Sequence, residues 1–381
     1  MSSSENIDYR FKVLYFIGIV LVVAGHCDNG GFSLLYEWFP PYSFHLGLFV
    51  FCSGYFYKYE NERAIGQYII KKIKRLIVPV YLWNIVYGLI VFLLSYKGFT
   101  IGMGISIDKF LIQPILSGHQ FDYNLGGWFV IPLFMIEVIN VLIRGLLDRM
   151  RISVNECVFF VMVLLCGCIG IWLAAKGINT GWWLVCDRVL YFFPFYTLGI
   201  LYKQVIEPKD TISNGLYFLI IIMLQLSIIL KEGDAPQYVP SWCEGFDANF
   251  ILPFVVGFLG IAFWLRVARI ITPLCVNSKI VNTVADNAFS IMIHQLFGFM
   301  LVKTVIACVY KLNMGCADFD LSRFKTEVFY IYLPNGIEQF RIVYLLVGIV
   351  FPIVLSQIIK VIKDWVSGRS VKSINYYSRV Q

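Results

Sequence analysis

Long apolar runs without charge constrain this chain more than any other feature of its sequence. From Val13 to Ala24 no residue is charged, and such a run must lie in lipid or in a very large apolar core. The 381 residues are 59% hydrophobic and only 14% charged, with a mean hydropathy of +0.74. Soluble domains contain about a quarter charged residues, so the composition predicts an all-α protein that crosses a membrane several times.

Ten segments are predicted as membrane spans, because a helix needs about 20 residues to cross the hydrocarbon. They are residues 11–27, 43–57, 76–96, 127–147, 155–175, 183–204, 212–230, 248–268, 286–309 and 341–362. The second is short and the sixth contains Asp187 and Arg188, so these two deviate most from an ordinary span. With no internal repeat and no soluble domain, residues 1–381 are predicted to form one membrane domain, with a disordered tail over 1–9 and a cytoplasmic tail over 367–381.

The Lys and Arg residues predict which side each loop faces. Of these 31 residues, 21 lie at the two termini and in the loops after the even-numbered spans. The opposite loops are poor in them, since residues 28–44 contain none and residues 231–247 contain only Lys231 against four acidic residues. Basic loops stay in the cytoplasm, so both termini are predicted to be cytoplasmic. The net charge of +7 then reflects topology and gives no reason to expect a nucleic-acid partner.

The ten cysteines do not predict a metal site. None of them forms a Cys-x-x-Cys pair, and most lie within spans, where a free thiol behaves as a small apolar side chain. Cys243 and Cys316 lie in outer loops, where an oxidising compartment would allow them either to pair or to stay free.

Two histidines lie near the outer ends of the first two spans. His26 closes the first apolar run, which is interpreted as a retained helix because no small-x-small cleavage site follows it. An ionisable group at this depth must be paired, stay neutral or function. His26 is therefore a candidate general base, or it closes its helix with an interhelical hydrogen bond. His45 is predicted to orient His26 or contact an acceptor. Tyr15 shares the face of His26, roughly 16 Å away along the helix.

Other polar residues are candidate site residues with a structural alternative. Glu137 lies deep in the fourth span, with Arg144 seven residues on and close to the same face, which predicts either an ion pair or a catalytic role. A basic run before the third span fits either lipid-facing topogenic charge or a cradle for phosphates; it consists of Lys71, Lys72, Lys74 and Arg75. Candidates for substrate contact, with packing or an interfacial position as the alternative, are Ser53, Tyr55, Trp128, Arg188 and His294.

Several of these segments resemble the integral-membrane acyltransferase 3 family. Ile17 to His26 looks like its first-helix motif, and Phe44 to Tyr55 is similar to its second-helix motif. The resemblance covers the whole chain, and the later matches in family order are Arg75 to Trp83, Trp128-Phe129, Tyr191 to Tyr196 and Ile291 to His294. One departure is clear: Tyr15 occupies the position where the family usually has an arginine. Leu46-Gly47 also stands where a proline is common.

The resemblance implies a bacterial enzyme of the cytoplasmic membrane that O-acylates surface carbohydrates such as capsule or exopolysaccharide. It implies acetyl-CoA as the cytoplasmic acyl donor and a glycan or lipid-linked sugar precursor as the acceptor; no metal is expected, as the cysteine spacing already indicates. His26 would be the general base, assisted by His45 and Glu137. The donor would bind the basic run together with Tyr15.

Two other functions remain open at this level. One is a transporter or flippase for a glycan-type substrate, although such proteins commonly have repeated halves and broken helices, which the sequence lacks. The other is a catalytically inactive scaffold or sensor, which Tyr15 favours. Coenzyme binding by the purified protein would separate the enzyme from the transporter.

Overall fold

The computed structural model describes residues 8–27, 37–102, 104–246 and 249–367. Over these ranges the chain is mostly helical and contains no β-strand. The long helices are α1 (Tyr9–Cys27), α2 (Pro41–Tyr55), α3 (Val78–Ser95), α4 (Val130–Arg149), α5 (Glu156–Ala175), α6 (Trp182–Leu201), α7 (Asn214–Glu232), α8 (Leu252–Cys275), α9 (Ala288–Lys311) and α10 (Arg341–Val366). Nine of them, with their continuous extensions, are long and apolar enough to cross a membrane, which confirms the all-α polytopic prediction.

The predicted boundaries are least accurate at the third and eighth spans. The third was expected to begin at residue 76, but the chain is helical from Ile65, through a π-helical turn over Ile73–Ile77, into α3. Pro79 has no N–H to donate to the carbonyl of Arg75, which explains an irregular turn at this point. The eighth helix continues to Cys275. The predicted tails lie outside the described residues, except for Asp8, Tyr9 and Ser367.

The second helix is an internal one. α2 has 15 residues, or about 22 Å, which is shorter than the ~30 Å hydrocarbon core. Twelve of these residues are buried, and α6, α8 and α1 pack around them. Close backbone approach to α6 depends on glycines: a Cβ on Gly54 would lie 1.9 Å from the carbonyl oxygen of Tyr196, and one on Gly199 would lie 2.1 Å from that of Phe51.

The first helix lies at the centre of the bundle. α1 packs against α2, α8, α9 and α10, and 11 of its 19 residues are buried. We call the side with Tyr9 and Tyr55 the inner face, and the side with Cys27 and Pro41 the outer face. Cys243 and Cys316, whose pairing the sequence left open, are both free thiols.

Candidate active site

His26 lies at the outer end of α1, and one of its two ring nitrogens already has a partner. Its Nδ1 lies 2.8 Å from the carbonyl oxygen of Val22, one turn earlier. A carbonyl can only accept a hydrogen bond, so in the neutral ring Nδ1 carries the proton and Nε2 keeps its lone pair. The buried carboxamide of Gln295, from α9, lies beside this imidazole. The geometry therefore leaves Nε2 as the atom that can accept a proton.

His45 is arranged in the same way, at the start of α2. Its Nδ1 bonds to the carbonyl of Pro41, one turn earlier, which again leaves Nε2 as the acceptor. Tyr42 lies between the two histidines, with its ring centroid 6.5 Å from that of His26 and 5.3 Å from that of His45, nearly perpendicular to both. Its hydroxyl donates to the carbonyl of Gly25 at 3.0 Å. Tyr42 thus ties the start of α2 to the end of α1 beside His26.

Glu137 joins three helical segments in the inner half of the bundle. Its Oε1 accepts hydrogen bonds from the Ser53 hydroxyl of α2 at 2.6 Å and from the Lys72 ammonium at 2.5 Å. The side chain is only 2% exposed, and its Oε2 has no hydrogen-bond partner among the described residues. Burying a carboxylate costs less free energy when a cation lies beside it, and the Lys72 ammonium is that cation.

Tyr15 lies on α1 between the level of Glu137 and that of His26. Its ring packs edge-on against Phe49 of α2, with a centroid distance of 5.4 Å. Glu137 and Arg75 both lie close enough to Tyr15 to act on it electrostatically. Tyr15 therefore lies in the inner half of the site, close to Glu137 and Arg75.

The basic run divides into one half-buried and three exposed side chains. Lys72 turns inward to Glu137 and is 19% exposed. Lys71, Lys74 and Arg75 are exposed, and the described part of the chain offers them no ion-pair partner. Their positive charge is therefore available to an anionic ligand at the inner face.

The predicted pairing of Glu137 with Arg144 is wrong. Arg144 instead forms two hydrogen bonds, of 2.8 and 2.7 Å, with the carboxylate of Glu156 at the start of α5, and its guanidinium lies over the rings of Tyr57 and Phe159. Two residues seven positions apart are separated by about 10 Å along a helix. Partners on neighbouring segments are closer, so Glu137 pairs with Lys72 and Arg144 pairs with Glu156.

The site residues described above all lie in a stretch of the chain that matches a known protein family. A family model described as an acyltransferase domain matches residues 8–361 of the 381. The chain belongs to the acyltransferase 3 family. The match reaches into all ten long helices, so the protein is a multi-pass membrane acyltransferase. No curated protein and no solved structure matches this chain.

Arg188 holds the outer loops of this acyltransferase together. Although buried in α6, its guanidinium donates to the carbonyls of Ser241 at 3.0 Å, Leu116 at 3.2 Å and Ser117 at 3.0 Å. It also lies 4.8 Å from the centre of the Trp128 ring. These contacts tie two outer loops to α6. Neither Arg188 nor Trp128 has a described contact with His26.

His294 of the acyltransferase faces away from His26. Its Nδ1 lies 2.8 Å from the Tyr87 hydroxyl, and its ring packs edge-on against Trp83, with a centroid distance of 4.1 Å. Both partners belong to α3. Gln295, the next residue, is turned by about 100° and lies beside His26, so α9 reaches the site through Gln295.

Tyr55 lies in an ion-pair cluster at the inner face. Its hydroxyl donates to Glu207 at 2.7 Å, and Arg10 bonds to the same carboxylate. Lys12 pairs with Asp286 at 3.1 Å. The two basic residues nearest to Tyr15 in sequence are therefore already paired, and neither takes the place of the arginine usual in the family.

Three residues near His26 were not singled out from the sequence. Tyr42 precedes His45 by one turn, and Gln295 follows His294 directly, so helical spacing from a known candidate could have indicated both. Phe329 stacks on the His26 ring, with centroids 5.9 Å apart and planes inclined by 9°. It comes from an aromatic outer loop without periodic pattern, and no sequence signal identifies it.

Proposed function

We propose that this acyltransferase transfers an acetyl group from acetyl-CoA to a hydroxyl of a cell-surface polysaccharide or its lipid-linked precursor, in the bacterial cytoplasmic membrane. His26 is the general base of this reaction. The observation that carries the proposal is the 2.8 Å contact between His26 Nδ1 and the Val22 carbonyl, because it leaves Nε2 unprotonated at the outer end of α1.

In this proposal acetyl-CoA binds at the inner face. Lys71, Lys74 and Arg75 are exposed there without ion-pair partners among the described residues, and they are suited to bind the phosphates of the coenzyme. From the level of Tyr15 to that of His26 the distance along α1 is roughly 16 Å. The long pantetheine arm of the coenzyme would follow this path to bring the thioester beside His26.

The acyl transfer itself needs one base and donors for the developing oxyanion. His26 Nε2 takes the proton of the sugar hydroxyl as its oxygen attacks the thioester carbonyl, and then returns the proton to the departing thiolate. The carboxamide of Gln295 lies beside the ring; its Nε2 donates one N–H to the Met292 carbonyl at 3.4 Å, and the second N–H is the donor that we propose for the oxyanion. Ser53 and Tyr55, which the sequence suggested for substrate contact, are bonded to carboxylates in the inner half.

Purified full-length protein tests the proposal. In the presence of acetyl-CoA and unacetylated surface polysaccharide, wild-type protein should release coenzyme A and increase the mass of the glycan by one acetyl group per modified hydroxyl. Substitution His26→Ala should lower the transfer rate at least a hundredfold, because general-base catalysis contributes on the order of 10²–10⁴. Coenzyme binding and thermal unfolding should stay close to those of the wild type.

His119→Gln is the matched control. His119 lies in an outer loop, stacked on Trp242 with a centroid distance of 4.2 Å. Burial lowers the pKa of His119 to about 3, so its ring is neutral at the assay pH, as the glutamine is. The control should keep wild-type transfer. Full activity of His26→Ala would exclude the mechanism, and a wild-type protein that binds no coenzyme would exclude acetyl-CoA as the acyl donor.

A further inference from the structure

Phe329 is an exposed aromatic residue between two buried ones. It lies in a turn of the outer loop that connects α9 to α10, and 52% of it is exposed, whereas Val328 is 8% exposed and Tyr330 is 7% exposed. An apolar ring left exposed forgoes the free energy of burial. Exposure alone does not mark a site, because Ile337 of the same loop is 51% exposed. Phe329 differs in that its ring stacks on that of His26.

The turn that carries Phe329 is held on both sides. The ammonium of Lys303, which is fully buried in α9, donates to the carbonyl of Val328 at 2.9 Å. The hydroxyl of Tyr330 accepts a hydrogen bond from the backbone N–H of Asp320 at 3.1 Å. The exposure of Phe329 is therefore built into the loop and does not result from a loose segment.

The rings of Phe329 and His26 are parallel but offset. Two parallel rings in contact lie ~3.5–4 Å apart. At that separation, their 5.9 Å centroid distance corresponds to a lateral offset of roughly 4.5 Å, and the imidazole then covers only part of the Phe329 face. A flat molecule on the uncovered part of this face would lie beside the imidazole, approximately in its plane. The lone pair of Nε2 lies in that same plane.

We propose that this uncovered face of Phe329 is the acceptor subsite and that it binds a pyranose ring. This inference rests on the proposed function and names where its acceptor is held. One face of a pyranose is lined by C–H groups and suits an aromatic surface, while its hydroxyls project from the rim. A rim hydroxyl would point at Nε2 of His26. As the hydroxyl loses its proton to Nε2, its oxygen bonds to the acyl carbon, the C–S bond breaks, and the thiolate takes the proton.

Three variants of the full-length protein test the subsite. Phe329→Leu keeps an apolar side chain without a flat face, Phe329→Trp keeps a flat face, and Ile337→Ala truncates a side chain of the same loop that is 51% exposed. The probes are acetyl-CoA and graded amounts of surface polysaccharide extracted from source cells that lack this protein. Phe329→Leu should raise the KM for polysaccharide about five- to tenfold with kcat within twofold. Phe329→Trp and Ile337→Ala should stay within twofold of wild type.

Phe329 could instead protect the thioester from hydrolysis by water, and coenzyme release measured without acceptor tests this alternative. This release should not change in any of the three variants. An unchanged KM in Phe329→Leu would overturn the subsite while leaving the proposed function intact. A rise in acceptor-free coenzyme release in Phe329→Leu would show that Phe329 protects the thioester from water, and it would likewise overturn the subsite. If wild-type protein transfers no acetyl group to the polysaccharide, the proposed function fails, and the subsite fails with it.

Discussion

The carboxylate of Glu137 is kept at a nearly water-free position by partners from other helices. Ser53 and Lys72 both bond to the same oxygen, and the second oxygen has no partner among the described residues. Removing one member of a buried ion pair leaves the other charge uncompensated, which usually costs more than the pair contributes. Lys72 is thus engaged inside the bundle, and the phosphate cradle that we propose is left to Lys71, Lys74 and Arg75.

Substitution Lys72→Met should lower the free energy of unfolding by about 3 kcal/mol, because Glu137 would remain buried without its cation. Adding Glu137→Gln should recover a large part of this loss, since a neutral amide is cheaper to bury. Thermal or denaturant unfolding of both variants and of Glu137→Gln alone gives the double-mutant cycle. Strictly additive losses in this cycle would contradict the coupling of Lys72 to Glu137.

At the scale of the helices, the contact between α2 and α6 positions much of the site. Ser53 and His45 both lie on α2, which is too short to be aligned by the membrane alone. Its position follows from backbone contacts at Gly54 and Gly199, where no side chain fits. An added methyl at such a contact forces the two helices apart.

Gly54→Ala should therefore destabilise the protein by about 2–3 kcal/mol and reduce acyl transfer, because α2 would shift together with Tyr42, which packs against His26. The yield of monodisperse protein and its unfolding midpoint measure the first effect, and coenzyme release measures the second. Gly66→Ala is the matched control, because a Cβ at Gly66 would meet nothing within 4 Å. Equal behaviour of the two variants would show that the close contact is not important.

Considered as a whole molecule, the chain has an orientation that its charges predict. The inner face carries the start of α1, the end of α2 and the basic run, and among the described residues 18 of the 28 Lys and Arg belong to this side. The proposed reaction requires the same orientation, because acetyl-CoA is a cytoplasmic metabolite and the cradle lies at the inner face.

Single cysteines in a cysteine-free version of the protein test this orientation. Ile337→Cys, in the outer loop before α10, should react with a membrane-impermeant maleimide in intact spheroplasts. Lys209→Cys, after α6, should react only once the membrane is permeabilised. Mass spectrometry of the labelled protein gives the fraction modified. The reverse pattern would invert the topology and place the basic run away from its proposed donor.

The sequence predicts the helices and the place of His26 at the end of the first one, but it does not predict which side chains pair. Apolar runs encode α1 locally, and His26 stands out because it closes an uncharged segment. The partner of Glu137 is Lys72, 65 residues earlier in the chain, and helix packing alone decides this choice. Phe329 depends on the fold in the same way, since nothing in a loop sequence tells which of its aromatic rings will reach a residue about 300 positions away.

The bond from each imidazole to a carbonyl of its own helix has one more consequence. His26 Nδ1 bonds to the carbonyl of Val22, and His45 Nδ1 bonds to that of Pro41. Neither ring therefore needs a neighbouring segment to fix its tautomer. If the bundle opens to admit a bulky sugar and closes again, both imidazoles keep the same nitrogen available as an acceptor throughout. Opening of the bundle for substrate exchange therefore does not change which nitrogen of His26 accepts the proton. The same tautomer is present at the start of each turnover.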